Sequence, residues 1–168
     1  MNRSSAALTV AILMTATTTS STRAQTASTP PVAPTTAAPK RIVLSPDVLR
    51  GLPRRSITVT EEHGTRATYD GVDLGAVLAK EDVPQGAAVR GAVLAQYVLL
   101  IASDGYRVVF ALPELDRAFT DRAVLLVDRR NGSPLPPHLA PFRIIVPDEK
   151  RQARWIHSVT EIDIETAP

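Results

Sequence analysis

Residues 97–112 read YVLLIASDGYRVVFAL, two β-prone runs (97–103 and 106–112) on either side of Asp104-Gly105. An Asp-Gly pair between such runs suits a two-residue type I′ turn, whose central residues both take positive φ. The stretch predicts a buried antiparallel hairpin, and similar short runs recur on both sides of it. Upstream, 41–44 and 56–60 (SITVT) are β-rich. Ser45-Pro46-Asp47 between them suits a helical turn with Ser45 as N-cap and Pro46 first, where proline's missing N–H costs nothing. A further strand is expected over 66–69, ahead of Asp70-Gly71. In 73–80 (DLGAVLAK), Leu74, Val77 and Leu78 have the i, i+3, i+4 spacing of one helix face, with Asp73 as cap and Pro84 as the stop.

Downstream, Pro113-Glu114-Leu115-Asp116 reads as a one-turn helix, 124–128 (VLLVD) as a strand and Asn131-Gly132 as a turn. Residues 133–141 (SPLPPHLAP) form a rigid loop whose four prolines oppose regular pairing. Strands over 142–146 (FRIIV) and 158–164 (SVTEIDI) complete the set. Many short strands with two or three short helices make an α+β domain, mostly β.

Residues 1–24 read as an export signal peptide. Arg3 lies in a short leading segment, 6–16 (AALTVAILMTA) is apolar, and Thr22-Arg23-Ala24 gives a small-x-small cut before Gln25. That run is well short of the roughly 20 residues of a spanning helix, so no stable membrane insertion is expected after cleavage. Residues 25–40 contain four prolines and one large apolar residue, Val32, which predicts a flexible linker. The folded domain is then 41–166, long enough to bury one core without staples. The expected location is periplasmic or secreted. Cleavage leaves 17 of the 19 Lys and Arg against 17 Asp and Glu, so the net charge falls to zero and no nucleic-acid partner is indicated. The chain has no cysteine, which removes disulfides, thiol nucleophiles and thiolate metal ligands.

His63, His138 and His157 lack metal-ligand spacing, and no serine sits in a Gly-x-Ser-x-Gly elbow. Glu61-Glu62-His63 could supply oxygen and nitrogen ligands, but side chains alternate at a strand end and a solvated loop is the better reading. One cluster stands out. Arg143, Lys150, Arg151 and Arg154 fall within twelve residues around Pro147, and Arg129-Arg130 precede the same proline-rich loop. Converging guanidiniums could grip a phosphate or carboxylate. The competing reading is that Asp148, Glu149 and nearby acids neutralise a solvated turn.

The order of several strings resembles the molybdopterin-binding oxidoreductase domain of the sulfite oxidase family. They are Asp104-Gly105-Tyr106, Leu125-Leu126, Asn131-Gly132-Ser133-Pro134-Leu135-Pro136, residues 138–147 (HLAPFRIIVP) and Arg154-Trp155-Ile156. Tyr69-Asp70-Gly71-Val72-Asp73-Leu74 is similar to that family's W-x-G-V-x-L stretch, and the likeness runs over about 57–164.

The resemblance implies a compact mixed-sheet domain with a pterin phosphate held by Arg143 and a cofactor-lining role for Arg154. Lys150 and Arg151 join them as candidate cofactor-binding residues, in a stretch (Asp148-Glu149-Lys150-Arg151) where this chain departs from the family's glycine-aromatic turn. It also implies a molybdenum-ligating cysteine, for which this chain offers only 61–66 (EEHGTR). Molybdenum favours sulfur ligands, so ordinary thiolate-metal catalysis is not expected. Three readings follow: a degenerate molybdopterin-binding-like domain for a pterin or other anionic ligand, a periplasmic protein-interaction module, or an oxidoreductase whose atypical metal site uses Glu61, Glu62 or His63.

Overall fold

The computed structural model describes residues 39–168. Its elements are β1 (Lys40–Val43), β2 (Arg54–Thr60), β3 (Arg66–Asp73), α1 (Leu74–Lys80), β4 (Gln96–Ala102), β5 (Arg107–Ala111), β6 (Leu125–Arg130), β7 (Ser133–Pro134), β8 (Arg143–Ile145) and β9 (Val159–Thr166), with single 3-10 turns between them. Two antiparallel sheets result. One has the order β1-β9-β4-β5; the other runs β2-β3-β6-β7, with β8 also paired to β6. The fold is α+β and mostly β, as expected. The expected signal peptide, 1–24, and the expected linker as far as residue 38 lie outside the described residues. Lys40 already belongs to a strand, paired with Ile164, so the folded part begins slightly before the expected boundary.

Alternation along the strands buries one face of the first sheet. In β4, Val98, Leu100 and Ala102 are buried; in β5, Val108 and Phe110. The hairpin is therefore half-buried rather than buried, and Val109 stays 48% exposed. Side chains of both sheets and of α1 join one apolar core, including Phe110, Leu126, Ile144 and Leu78.

The turns distribute differently from expectation. Only Gly105 has positive φ at 104–105. The Gly105 N–H donates to Ala102 O at 3.0 Å, and the Ala102 N–H to Tyr106 O at 3.0 Å. This is a three-residue connection, a turn followed by one left-handed glycine, instead of type I′. The two-residue turn with both φ positive occurs at Asn131 (52°) and Gly132 (78°), joining Arg130 to its partner Ser133. The Asn131 side chain fixes it by accepting from the Thr68 N–H at 2.8 Å. The proline-rich loop thus begins as a two-residue strand, β7.

The strand expected to stop before Asp70-Gly71 continues through it to Asp73, with a register shift between those two residues. A Cβ on Gly71 would lie 2.2 Å from Leu126 O, so glycine is needed there for close strand approach rather than for a turn. The chain then enters α1, where Asp73 Oδ1 accepts from the Gly75 N–H at 3.2 Å. The helix ends at Lys80, ahead of Pro84, and Asp82 takes a φ of 55°. Lys80 Nζ donates to the carbonyls of Asp47, Val48 and Arg50 at 2.8, 3.0 and 2.8 Å, tying α1 to the 3-10 turn Pro46–Leu49. Ser45 occupies the N-cap position of that turn without a side-chain cap bond.

Gly71→Ala should destabilise the domain by about 2 kcal/mol or more in urea denaturation, since backbone must move to admit the methyl group. A loss under about 0.5 kcal/mol would contradict this close approach.

Candidate anion site

The β2–β3 connection lays the Glu61 carboxylate against side chains from three strands of the second sheet. Arg130 Nη2, at the end of β6, donates to Oε2 at 2.6 Å. Arg143 Nη1, at the start of β8, donates to Oε1 at 3.3 Å and also to the Tyr69 hydroxyl of β3, which in turn donates to Glu61 Oε1. The Arg143 guanidinium lies 5.3 Å from the Tyr69 ring centre and 5.8 Å from that of Trp155. Side-chain exposure is 12% for Arg143 and 19% for Glu61. Glu61 is therefore not the solvated loop residue expected, whereas Glu62 and His63 are exposed.

Burial is the largest influence on the Glu61 carboxyl and pushes its pKa up. The hydrogen bonds from Arg130 and Tyr69, with the charges of Arg130 and Arg143, outweigh it and hold the pKa below the ordinary 4.5. Burial, and then the hydrogen bond to Glu61, raise the Tyr69 hydroxyl. The hydrogen bond to Glu61 is the main cause that raises Arg130.

Arg154 belongs to another set of partners. Its Nε donates to Glu149 Oε1 at 2.7 Å, its Nη1 lies 3.5 Å from Glu114 Oε2, and its guanidinium sits 4.3 Å from the Phe110 ring centre. Arg122 joins this cluster, 3.4 Å from Glu114, 3.1 Å from Asp148 and 3.3 Å from Glu149. Arg143 and Arg154 share no carboxylate, and each is neutralised from within the chain. For Arg154 this is the internal neutralisation weighed above, although the Glu149 side chain is only 10% exposed and the turn is not fully solvated.

Lys150 and Arg151 differ. Both are exposed and line a cleft of about 380 Å3 with Glu62 and Gln152; Arg143 and Arg154 do not line it. No ion pair within 4.0 Å is formed by Lys150 or Arg151 among the described residues. The Gln152 amide builds one wall. Its Nε2 donates to Thr60 O at 2.8 Å, and its Oε1 accepts from the Glu62 N–H at 3.2 Å. That double bond of one amide to the backbone fastens the 3-10 turn Gln152–Arg154 to the end of β2.

The donor set does not fit ordinary molybdenum ligation, because the chain has no thiolate. Glu61, the nearest carboxylate to the expected ligand segment, is already bonded to two arginines and a tyrosine. Among the described residues no three His, Asp or Glu side chains converge as a metal-binding group, and His138 and His157 are exposed. In comparisons with protein-family models, curated proteins and solved structures, nothing matches the chain.

Sequence reasoning missed Arg122 and the pairing of Glu61 with arginines, having weighed Glu61 only as a metal ligand or a solvated loop residue. Arg122 stands alone between Asp121 and Ala123 with no periodic neighbour, and Glu61 lies 82 residues from Arg143. Only tertiary placement pairs them, so no local signal could have found either contact.

Glu61 has a depressed folded-state pKa, so its stabilisation is present above the unfolded value and disappears as pH falls through the folded one. Glu61→Gln should cost about 2 kcal/mol in urea denaturation at pH 7, and the difference from wild type should shrink as the pH drops below about 4. An unchanged difference down to about pH 2 would contradict the ionised pairing.

Proposed function

We propose that the chain is an exported domain of sulfite oxidase-like type that binds a phosphate-bearing small molecule, a pterin phosphate or a related anion, and performs no thiolate-metal catalysis. The observation that carries this reading is the cleft at Lys150 and Arg151, where two exposed cations stand without a carboxylate of the described residues within 4.0 Å. Lysine and arginine there offer donors suited to phosphate oxygens, and arginine can engage two of them at once.

Arg143 and Arg154 then have structural parts. A pterin phosphate on Arg143 would have to displace Glu61, and one on Arg154 would have to displace Glu149. Each exchange would expose or strand a charge that now has a partner, so binding at the free cations is energetically favoured. Glu62 works against the ligand, as a carboxylate lining the same cleft.

The protein-interaction reading is favoured by a separate observation, the outer face of the first sheet. Val43 is 66% exposed and Val109 48%, and both lie on that face across from Glu161 and Leu99 in the strand register. A reading as an oxidoreductase with oxygen or nitrogen ligands finds less support, because Glu61 is engaged elsewhere while Glu62 and His63 point to solvent.

Calorimetric titration with a pterin phosphate, pyrophosphate and a neutral pterin tests the ligand class. Both phosphates should bind and the neutral pterin should not. Lys150→Gln with Arg151→Gln should weaken binding about tenfold or more, and Glu62→Gln should tighten it about twofold. Affinity should also fall with added salt, as expected for exposed charges. No heat from either phosphate, or equal binding by the double variant, would overturn the reading.

A further inference from the structure

A second cleft, of about 470 Å3, opens beside α1 and shares no lining residue with the Lys150 and Arg151 cleft. Its volume lies in the range of small-molecule sites, roughly 300–1,000 Å3. Ala76 and Ala79 of α1 and Leu115 give it an apolar floor, while Arg55, Arg117 and Gln85 supply its hydrogen-bond donors.

Three features describe what would fit. Gln85 Nε2 is buried and has no hydrogen-bond partner among the described residues. Buried donors are nearly always satisfied, and turning this amide toward the cleft would give it an acceptor there. The two guanidiniums also compete for a single oxygen. Arg117 Nη2 bonds Asp73 Oδ2, and Arg55 Nη1 stands 3.4 Å from the same atom. Charge-assisted bonds of this kind are usually about 2.7–2.9 Å, so Arg55 is poorly satisfied. Asp73 Oδ1 is taken by the Gly75 N–H, leaving one carboxylate between two cations.

Asp116 does not restore the balance at hydrogen-bonding range. It is 4% exposed and both its oxygens accept backbone N–H groups, Oδ1 from Ala118 at 2.8 Å and Oδ2 from Gly86. The cleft thus combines an apolar floor, an unsatisfied amide donor and a guanidinium, Arg55, whose nearest carboxylate oxygen is 3.4 Å away.

We propose that this cleft binds a small monocarboxylate with an apolar body. The carboxylate would sit on Arg55, the guanidinium with the long contact to Asp73, the body on Ala76, Ala79 and Leu115, and the Gln85 amide would turn to donate to a ligand oxygen. This site is independent of the anion cleft at Lys150 and Arg151, so either can fail without the other.

Benzoate titrated into the 15N-labelled protein tests it, with hexylamine as the apolar cation control. Benzoate should shift the amides of Gly75, Ala76, Ala79, Gln85 and Arg117 saturably, and hexylamine should not. Arg55→Gln removes a half-exposed rim side chain and should weaken benzoate about fivefold. Gln85→Leu should weaken it about threefold or more while amide spectra confirm folding. Absence of saturable shifts at these amides, equal shifts with hexylamine, or unchanged affinity in both variants would overturn the site.

Discussion

The Glu61 carboxylate is the constraint on which the second sheet turns. It leaves the end of β2 and meets Tyr69 of β3, Arg130 of β6 and Arg143 of β8, so one anion joins four strands. The strand register brings Tyr69 opposite Arg130 and Val127 opposite Arg143, and the long arginine side chains then reach the same carboxylate. Without an anion there, two guanidiniums of limited exposure would face each other across the sheet end. Breaking a buried pair of this type costs far more than forming an exposed one gains.

The same principle divides the basic residues into two classes. Arg143 and Arg154 look alike in sequence, yet both are absorbed by acids of the chain, one by Glu61 and the other by Glu149 and Glu114. Of the four cations around Pro147, Lys150 and Arg151 are the two that form no ion pair among the described residues. The binding role proposed for this domain rests on cations of that cluster that no acid of the described residues reaches.

Much of the architecture was legible because it depends on local chemistry. Strand alternation marked β2, β4, β5 and β9, and the apolar spacing of Leu74, Val77 and Leu78 located α1 with Asp73 at its cap. The departures concern quantities that only packing decides. Asp104-Gly105 and Asn131-Gly132 are equally turn-prone, but the Thr68 N–H selects the second for the two-residue turn through the Asn131 side chain. Asp70-Gly71 looks like punctuation until Leu126 O is placed 2.2 Å from where a Cβ would be. For the site, the basic cluster and Glu149 were visible, whereas the acid that pairs Arg143 was not, because Glu61 and Arg143 are neighbours only through the β2–β3, β3–β6 and β6–β8 pairings.

A double-mutant cycle on Glu61→Gln and Arg143→Met, read by urea denaturation at pH 7, tests internal neutralisation most directly. The structure calls for a coupling of about 1–3 kcal/mol, since each single change strands a partner that the double change removes. Additive losses, within about 0.3 kcal/mol, would mean that the carboxylate does not hold this guanidinium, and the division of the basic residues would no longer stand.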